Sequence, residues 1–217
     1  MYHNTDRMFH QHGFGHPLAT VGADFHSHAV LFADHGIIEY VFCRQFASNM
    51  DMASYVALTR DHLCTILLVN HLQSRETPTI TKSDSISQHQ MISHHGDHVN
   101  LVCGEFWTAD RCVLAIQQIH DDEAWAESRE EYRNRTIWID IHNVPNGIVV
   151  RILSLASQKN VTQGQVSVDD EALHWGLDLS DCPAAEKEAR FRWHTVDFFN
   201  ALLPQLNVRR VCADESS

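Results

Sequence analysis

The residues with the clearest chemical potential stand in "DFHSHAVLFADHG", Asp24 to Gly36, where Asp24, His26 and His28 form a D-x-H-x-H run. Along an extended chain side chains alternate between faces, so residues 24, 26 and 28 point to one side and can converge on a cation. An H-x-H pair by itself says little in a chain with 17 histidines. The flanking aspartate and the apolar stretch that leads into the pair sharpen it. Imidazole and carboxylate ligands together suit Zn, Mn or Fe, and such an ion turns a bound water into a hydroxide nucleophile at neutral pH.

The spacing resembles the first motif of the PHP (polymerase and histidinol phosphatase) superfamily, and in particular its bacterial tyrosine-phosphatase branch, in which D-x-H-x-H is followed after five residues by D-x-G. Asp24, His26, His28, Asp34 and Gly36 keep that pattern. "TILLVNH", ending at His71, is similar to the family's strand ending in a metal-binding histidine. "NLVCGE", ending at Glu105, is similar to the segment whose carboxylate bridges the metals, and "IDIHNVP" offers His142 as a partial counterpart of a His-Pro element. The resemblance covers the first half of the chain. It implies a distorted small (βα) barrel, a divalent transition-metal cofactor (Zn, Mn or Fe) held by His26, His28, His71, Glu105 and His142, and phosphoester hydrolysis. The amidohydrolases share D-x-H-x-H on a first barrel strand.

The elements that must position these groups follow from periodicity and turn residues. Leu18 to Phe25 and Ile37 to Cys43 read as strands, and Asn49 or Asp51 caps a helix that stops near Asp61. "CTILLVNH" is of strand length, Thr77 to Gln90 is a Ser/Thr-rich loop, and Val99 to Val102 is a strand. Val113, Leu114, Ile116 and Ile119 suggest a helix from Thr108 or Asp110, and Asp121 to Arg135 a charged helix. Thr136 to Ile141 and Ile148 to Leu155 are strands. A last helix from Ala184 to Leu203 turns Ala189, Trp193, Val196, Phe199 and Leu203 inward, and "NVRRVC" closes the fold as an edge strand.

Strands alternating with helices indicate an α/β single domain over residues 1–217, with α+β and a mixed sheet as the alternative, and residues 1–16 as a flexible polar N-terminus. In a parallel arrangement His26, His28, His71, Glu105 and His142 stand at carboxyl strand ends on one face, where two ions would hold a hydroxide near Glu105. Asp24 or Asp34 would orient a ligand histidine from behind. Glu105 and Asp24 are thus the catalytic candidates. The denser cluster "SHHGDH", Ser93 to His98, precedes its strand and enters from the opposite end, so it reads as a solvated loop. Its spacing also misses the metallo-β-lactamase pattern, with Ser93 where the first histidine belongs.

Charge and cysteine usage bound the function classes. Asp plus Glu number 28 against 16 Lys plus Arg, a formal charge of -12, which disfavours nucleic acid or an anionic membrane as partner. The first residues lack the apolar core of a signal peptide, and no apolar run is long enough to span a bilayer, so the expected location is the cytoplasm. Six cysteines without a C-x-x-C pair suit reduced, buried thiols. The leading expectation is a metal-dependent hydrolase acting on a small-molecule or phosphorylated substrate. The alternative is a non-catalytic α+β binding or adaptor protein with an acidic surface.

Overall fold

Tight turns join most of the strands, and this decides the topology. The structure, a computed structural model, describes residues 1–15, 24–33, 36–63, 79–92, 98–120, 131–161 and 164–202. The strands are β1 (Phe25–Phe32), β2 (Ile38–Ser48), β3 (Thr79–Ser83), β4 (Ile86–Ile92), β5 (His98–Trp107), β6 (Arg111–Gln118), β7 (Glu131–Tyr132), β8 (Arg135–Val144), β9 (Gly147–Ser157), β10 (Asn160–Val161) and β11 (Gly164–Gln165). The helices are α1 (Thr5–Gln11), α2 (Met52–Asp61), α3 (Val168–His174) and α4 (Lys187–Leu202).

Two residues link β3 to β4 and β8 to β9, and three link β5 to β6. Loops this short allow only antiparallel pairing, because a parallel pair needs a crossover of about a dozen residues. The large sheet is accordingly antiparallel throughout, with strand order β1-β2-β9-β8-β6-β5-β4-β3. The expected α/β organisation and distorted (βα) barrel are therefore incorrect. The α+β alternative fits in part, with a purely antiparallel sheet in place of a mixed one.

Two expected elements change type. Residues 111–118, whose apolar positions satisfied helical spacing, form the central strand β6, buried on both faces over Cys112–Ile116. A strand covered on both sides loses its alternation, so its pattern is indistinguishable from that of a buried helix. Residues 79–92, expected as part of a loop, form the β3–β4 hairpin, in which Ser87, His89 and Met91 point inward. The expected strand 64–71 and edge strand 207–212 lie outside the described residues, as does most of the expected helix 121–135.

Each face of the sheet carries its own cover. On the inner face, Met52, Tyr55, Val56 and Leu63 from the α2 region pack on Leu101, Leu114, Ile116, Ile139, Ile141 and Val150. Further along that face, Val30, Ile38 and Tyr40 pack against Ala172, Leu179 and Phe191 from the α3–α4 region. Tyr40 OH donates to Glu171 Oε1 (2.6 Å), and Arg133 Nη1 donates to the same oxygen (2.6 Å), pinning α3 to the sheet. Residues 1–15, expected as a flexible terminus, carry α1 across the outer face, where Phe9 and Phe14 are buried with Cys43, Ala115, Trp138 and Leu153.

The β8–β9 turn demands glycine. Gly147 has φ +128°, and a Cβ there would stand 2.1 Å from the Ser48 carbonyl oxygen on the neighbouring strand. Gly147→Ala is expected to cost about 2–3 kcal/mol of unfolding free energy, read as a lower urea midpoint, because both backbone strain and a backbone clash must be relieved.

Candidate functional site

The register places the expected ligand residues far apart. His26 and His28 lie on the edge strand β1, on the face that looks toward α4, and Glu105 lies on β5, five strands away. At about 4.8 Å per strand spacing that is roughly 24 Å along the sheet, against metal–ligand distances of about 2.0–2.2 Å. His142 is worse placed, since Ile139 and Ile141 share the inner face and His142 therefore points to the outer one. Asp24 is exposed just before β1, and His71 and Asp34 lie outside the described residues. Among the described residues no group of three or more His, Cys, Asp or Glu side chains is arranged to hold a metal ion. The shared-metal site, and with it the metal-dependent hydrolase and its phosphoesterase activity, is thus a misreading. It followed from assuming parallel strands, whose carboxyl ends meet on one edge, whereas antiparallel strands alternate in direction.

Glu105 makes a structural ion pair instead, and His142 a structural hydrogen bond. Glu105 accepts from Arg60 Nη1 at 2.9 Å and from Trp107 Nε1 at 3.3 Å, tying the end of α2 to β5. His142 Nε2 is 3.0 Å from Asp140 Oδ2, and the fully buried Asp140 also accepts from Arg111 Nε (2.6 Å) and from Arg151. Burial opposes ionisation of Asp140, yet the His142 hydrogen bond and the charge of Arg151, with Arg111 behind them, hold its carboxyl at about 2.

The remaining distinctive feature is the seam between the two inner-face clusters. The buried cluster under α2 and the buried cluster under α3–α4 are separate. Between them runs a strip of half-buried side chains that the register aligns across three strands. His28 pairs with Phe42 and Phe42 with Ser154, while two residues along on the same face His26 opposes Arg44. Phe199 of α4 closes one side, its ring stacked on the His28 imidazole with centroids 3.8 Å apart and 6.3 Å from the Phe42 ring. Trp175 stands 5.5 Å from Phe199. The Arg44 guanidinium lies over the Phe46 ring, 4.6 Å from its centroid. Burial lowers the Arg44 pKa, opposed by the nearby Tyr55 and Asp24.

His28 is the anomaly in this strip. Both ring nitrogens are buried and neither has a hydrogen-bond partner among the described residues. Buried polar groups are satisfied in the great majority of cases, and an orphaned one costs about 1–3 kcal/mol. Burial pushes the imidazole down to about 4, so it is neutral at physiological pH and offers one N–H donor and one lone-pair acceptor.

Comparison with known proteins adds a fold likeness only. No protein-family model matches the chain, and no curated protein matches it. Among solved structures, a STAR-related lipid transfer protein fragment from Xanthomonas axonopodis aligns at 10% identity, covering 77% of this chain and 97% of that one, with a TM-score of 0.47. The lipid transfer and protein localization domain of human StarD13 aligns at 11% identity, covering 78% and 89%, with a TM-score of 0.42. The resemblance to the PHP superfamily is overturned by the sheet itself, whose antiparallel strands have no place in a (βα) barrel, and no family model supports it. No helix among the described residues is long and apolar enough to cross a membrane.

His28 shares its low basicity with His89, which is buried beside Ser87 (Oγ to Nε2, 2.8 Å) and is also pushed to about 4, chiefly by burial and further by the Lys82 charge. Both shifts act in one direction. Above pH 6.5 the two imidazoles are neutral in folded and unfolded chains alike; between 6.5 and about 4 only the unfolded chain takes up the protons. Stability is therefore expected to fall as pH drops through that window, by up to ~3 kcal/mol for each histidine. Urea midpoints at pH 7.5 and 4.5 measure the loss, and replacing either histidine by an uncharged residue is expected to reduce it.

Sequence reasoning picked out His28 for the wrong partners, left Phe42 and Ser154 without a role, and gave Phe199 only an inward place on the last helix. Strand alternation puts Tyr40, Phe42 and Arg44 on one side of β2, but nothing local in the sequence tells which helix meets them.

Proposed function

We propose that the chain is a binding module for a small amphipathic molecule, held in the seam on the inner sheet face between α2 and α4. The observation that carries this reading is the buried imidazole of His28, without a hydrogen-bond partner among the described residues and set among the rings of Phe42 and Phe199. Small-molecule sites combine an apolar lining with a few placed polar groups, and an orphaned polar atom in an apolar strip is such a group waiting for its partner. Phe199 covers the imidazole, so entry requires that side chain to turn aside.

A neutral naphthylamine dye, fluorescent in apolar surroundings, tests the reading. The full chain is expected to bind it saturably with one-to-one stoichiometry. Ser154→Trp, which fills the strip beside Phe42, is expected to weaken the dye at least about tenfold while the thermal transition stays cooperative. Absence of saturable binding, or full affinity in a folded Ser154→Trp variant, contradicts it.

A further inference from the structure

We infer that the ligand of the seam presents an uncharged hydroxyl to His28 and is selected against the corresponding carboxylate. The inference rests on the seam being the ligand site. The geometry that points to it is the closed setting of the imidazole, with both nitrogens out of solvent and Phe199 stacked on one face of the ring. A neutral imidazole carries a donor at one nitrogen and an acceptor at the other, and which is which depends on the tautomer. A hydroxyl both donates and accepts, so it satisfies whichever nitrogen it meets. A carboxylate only accepts, and it must shed its hydration to enter a strip whose nearest neighbours are aromatic.

The charged groups near His28 leave this preference standing. From β2, Arg44 opposes His26 rather than His28, and its guanidinium is seated on the Phe46 ring in the field of Asp24. The residue opposite His28 on β2 is Phe42, with Ser154 of β9 beyond it, and from α4 Phe199 stacks on the ring. A carboxylate held by Arg44 would leave both His28 nitrogens still unpaired.

Competition against the naphthylamine dye with dodecan-ol and dodecanoate at pH 7.5 separates the possibilities. Wild-type protein is expected to bind the alcohol about tenfold or more tightly than the acid, the scale of one well-placed hydrogen bond plus the desolvation of a carboxylate. In His28→Phe the preference is expected to vanish, and in His28→Gln, which keeps a donor and an acceptor, to be largely retained. Equal or tighter binding of the acid, or a preference unchanged in His28→Phe, overturns the hydroxyl assignment while leaving the seam as a binding site; acid binding that is lost in Arg44→Gln would name Arg44 as the head-group residue instead. If neither molecule displaces the dye, the hydroxyl assignment fails, and the seam stands or falls with the Ser154→Trp result.

Discussion

His28→Phe is expected to raise the stability of the ligand-free protein by about 1–2 kcal/mol while weakening ligand binding about tenfold. The gain arises because phenyl replaces imidazole between Phe42 and Phe199 without two orphaned nitrogens. Burying an unpaired polar group costs free energy that an apolar ring of similar shape does not. A binding site kept at the expense of stability is the pattern expected of function, because selection for folding alone would favour the phenyl ring. Urea denaturation at pH 7.5 provides the stability, and dye titration the affinity. A destabilisation of 1 kcal/mol or more would falsify the orphan assignment, since it would mean the imidazole has partners in solution.

Asp140→Ala is expected to be the most destabilising single change on the outer face, at about 3–5 kcal/mol. The carboxylate is fully buried and gathers Arg111, Arg151 and His142. Removing it takes the carboxylate from Arg151, only 4% of whose side chain is exposed, and leaves Arg111 with only the exposed Asp6 among the described residues. The same patch fixes the N-terminal helix: Arg111 Nη2 donates to Asp6 at 2.6 Å, Arg151 Nη1 donates to the Gly15 carbonyl at 3.1 Å, and the Arg151 guanidinium lies 4.7 Å from the Phe9 ring centroid. Loss of Asp140 therefore loosens α1 as well as the sheet. Asp6→Ala removes only a partner that is 76% exposed and is expected to cost at most about 1 kcal/mol. Calorimetry or urea titration of the pair checks the contrast, and near-equal costs would contradict it. The carboxylate has its own pH signature. Its stabilisation is complete above the ordinary 3.8 and is lost as pH falls toward about 2, below the window in which the histidines act.

Local chemistry was readable where one element decided it. The Asp51 cap is real, with Oδ1 accepting from the Ser54 amide at 2.9 Å, and α2 ends at Asp61 as its pattern indicated. The last helix was also visible, although Ala189 and Trp193, read as inward, are exposed, whereas Phe199 is buried as expected. What failed depended on partners distant in sequence. Arg111 to Gln118 has no alternation because α1 and α2 cover its two faces. Ser87 and His89 are polar yet inward, which disguised a hairpin as a loop. The metal reading failed at the same step, for strand direction cannot be read from strand pattern, and Glu105 and His142 project from opposite faces of one antiparallel sheet. Of the aspartate and paired histidines at positions 24, 26 and 28, only His28 belongs to the proposed site.

The most direct test is a long-range proton–nitrogen correlation spectrum of the histidine side chains in the full chain, recorded before and after adding dodecan-ol. His28 is assigned by its absence in the His28→Phe spectrum. With the ligand in the seam, the two His28 ring nitrogens shift on saturation while most of the other 16 histidines hold their positions (17 in all). Unmoved His28 nitrogens in a protein that has bound the alcohol would contradict the proposed site.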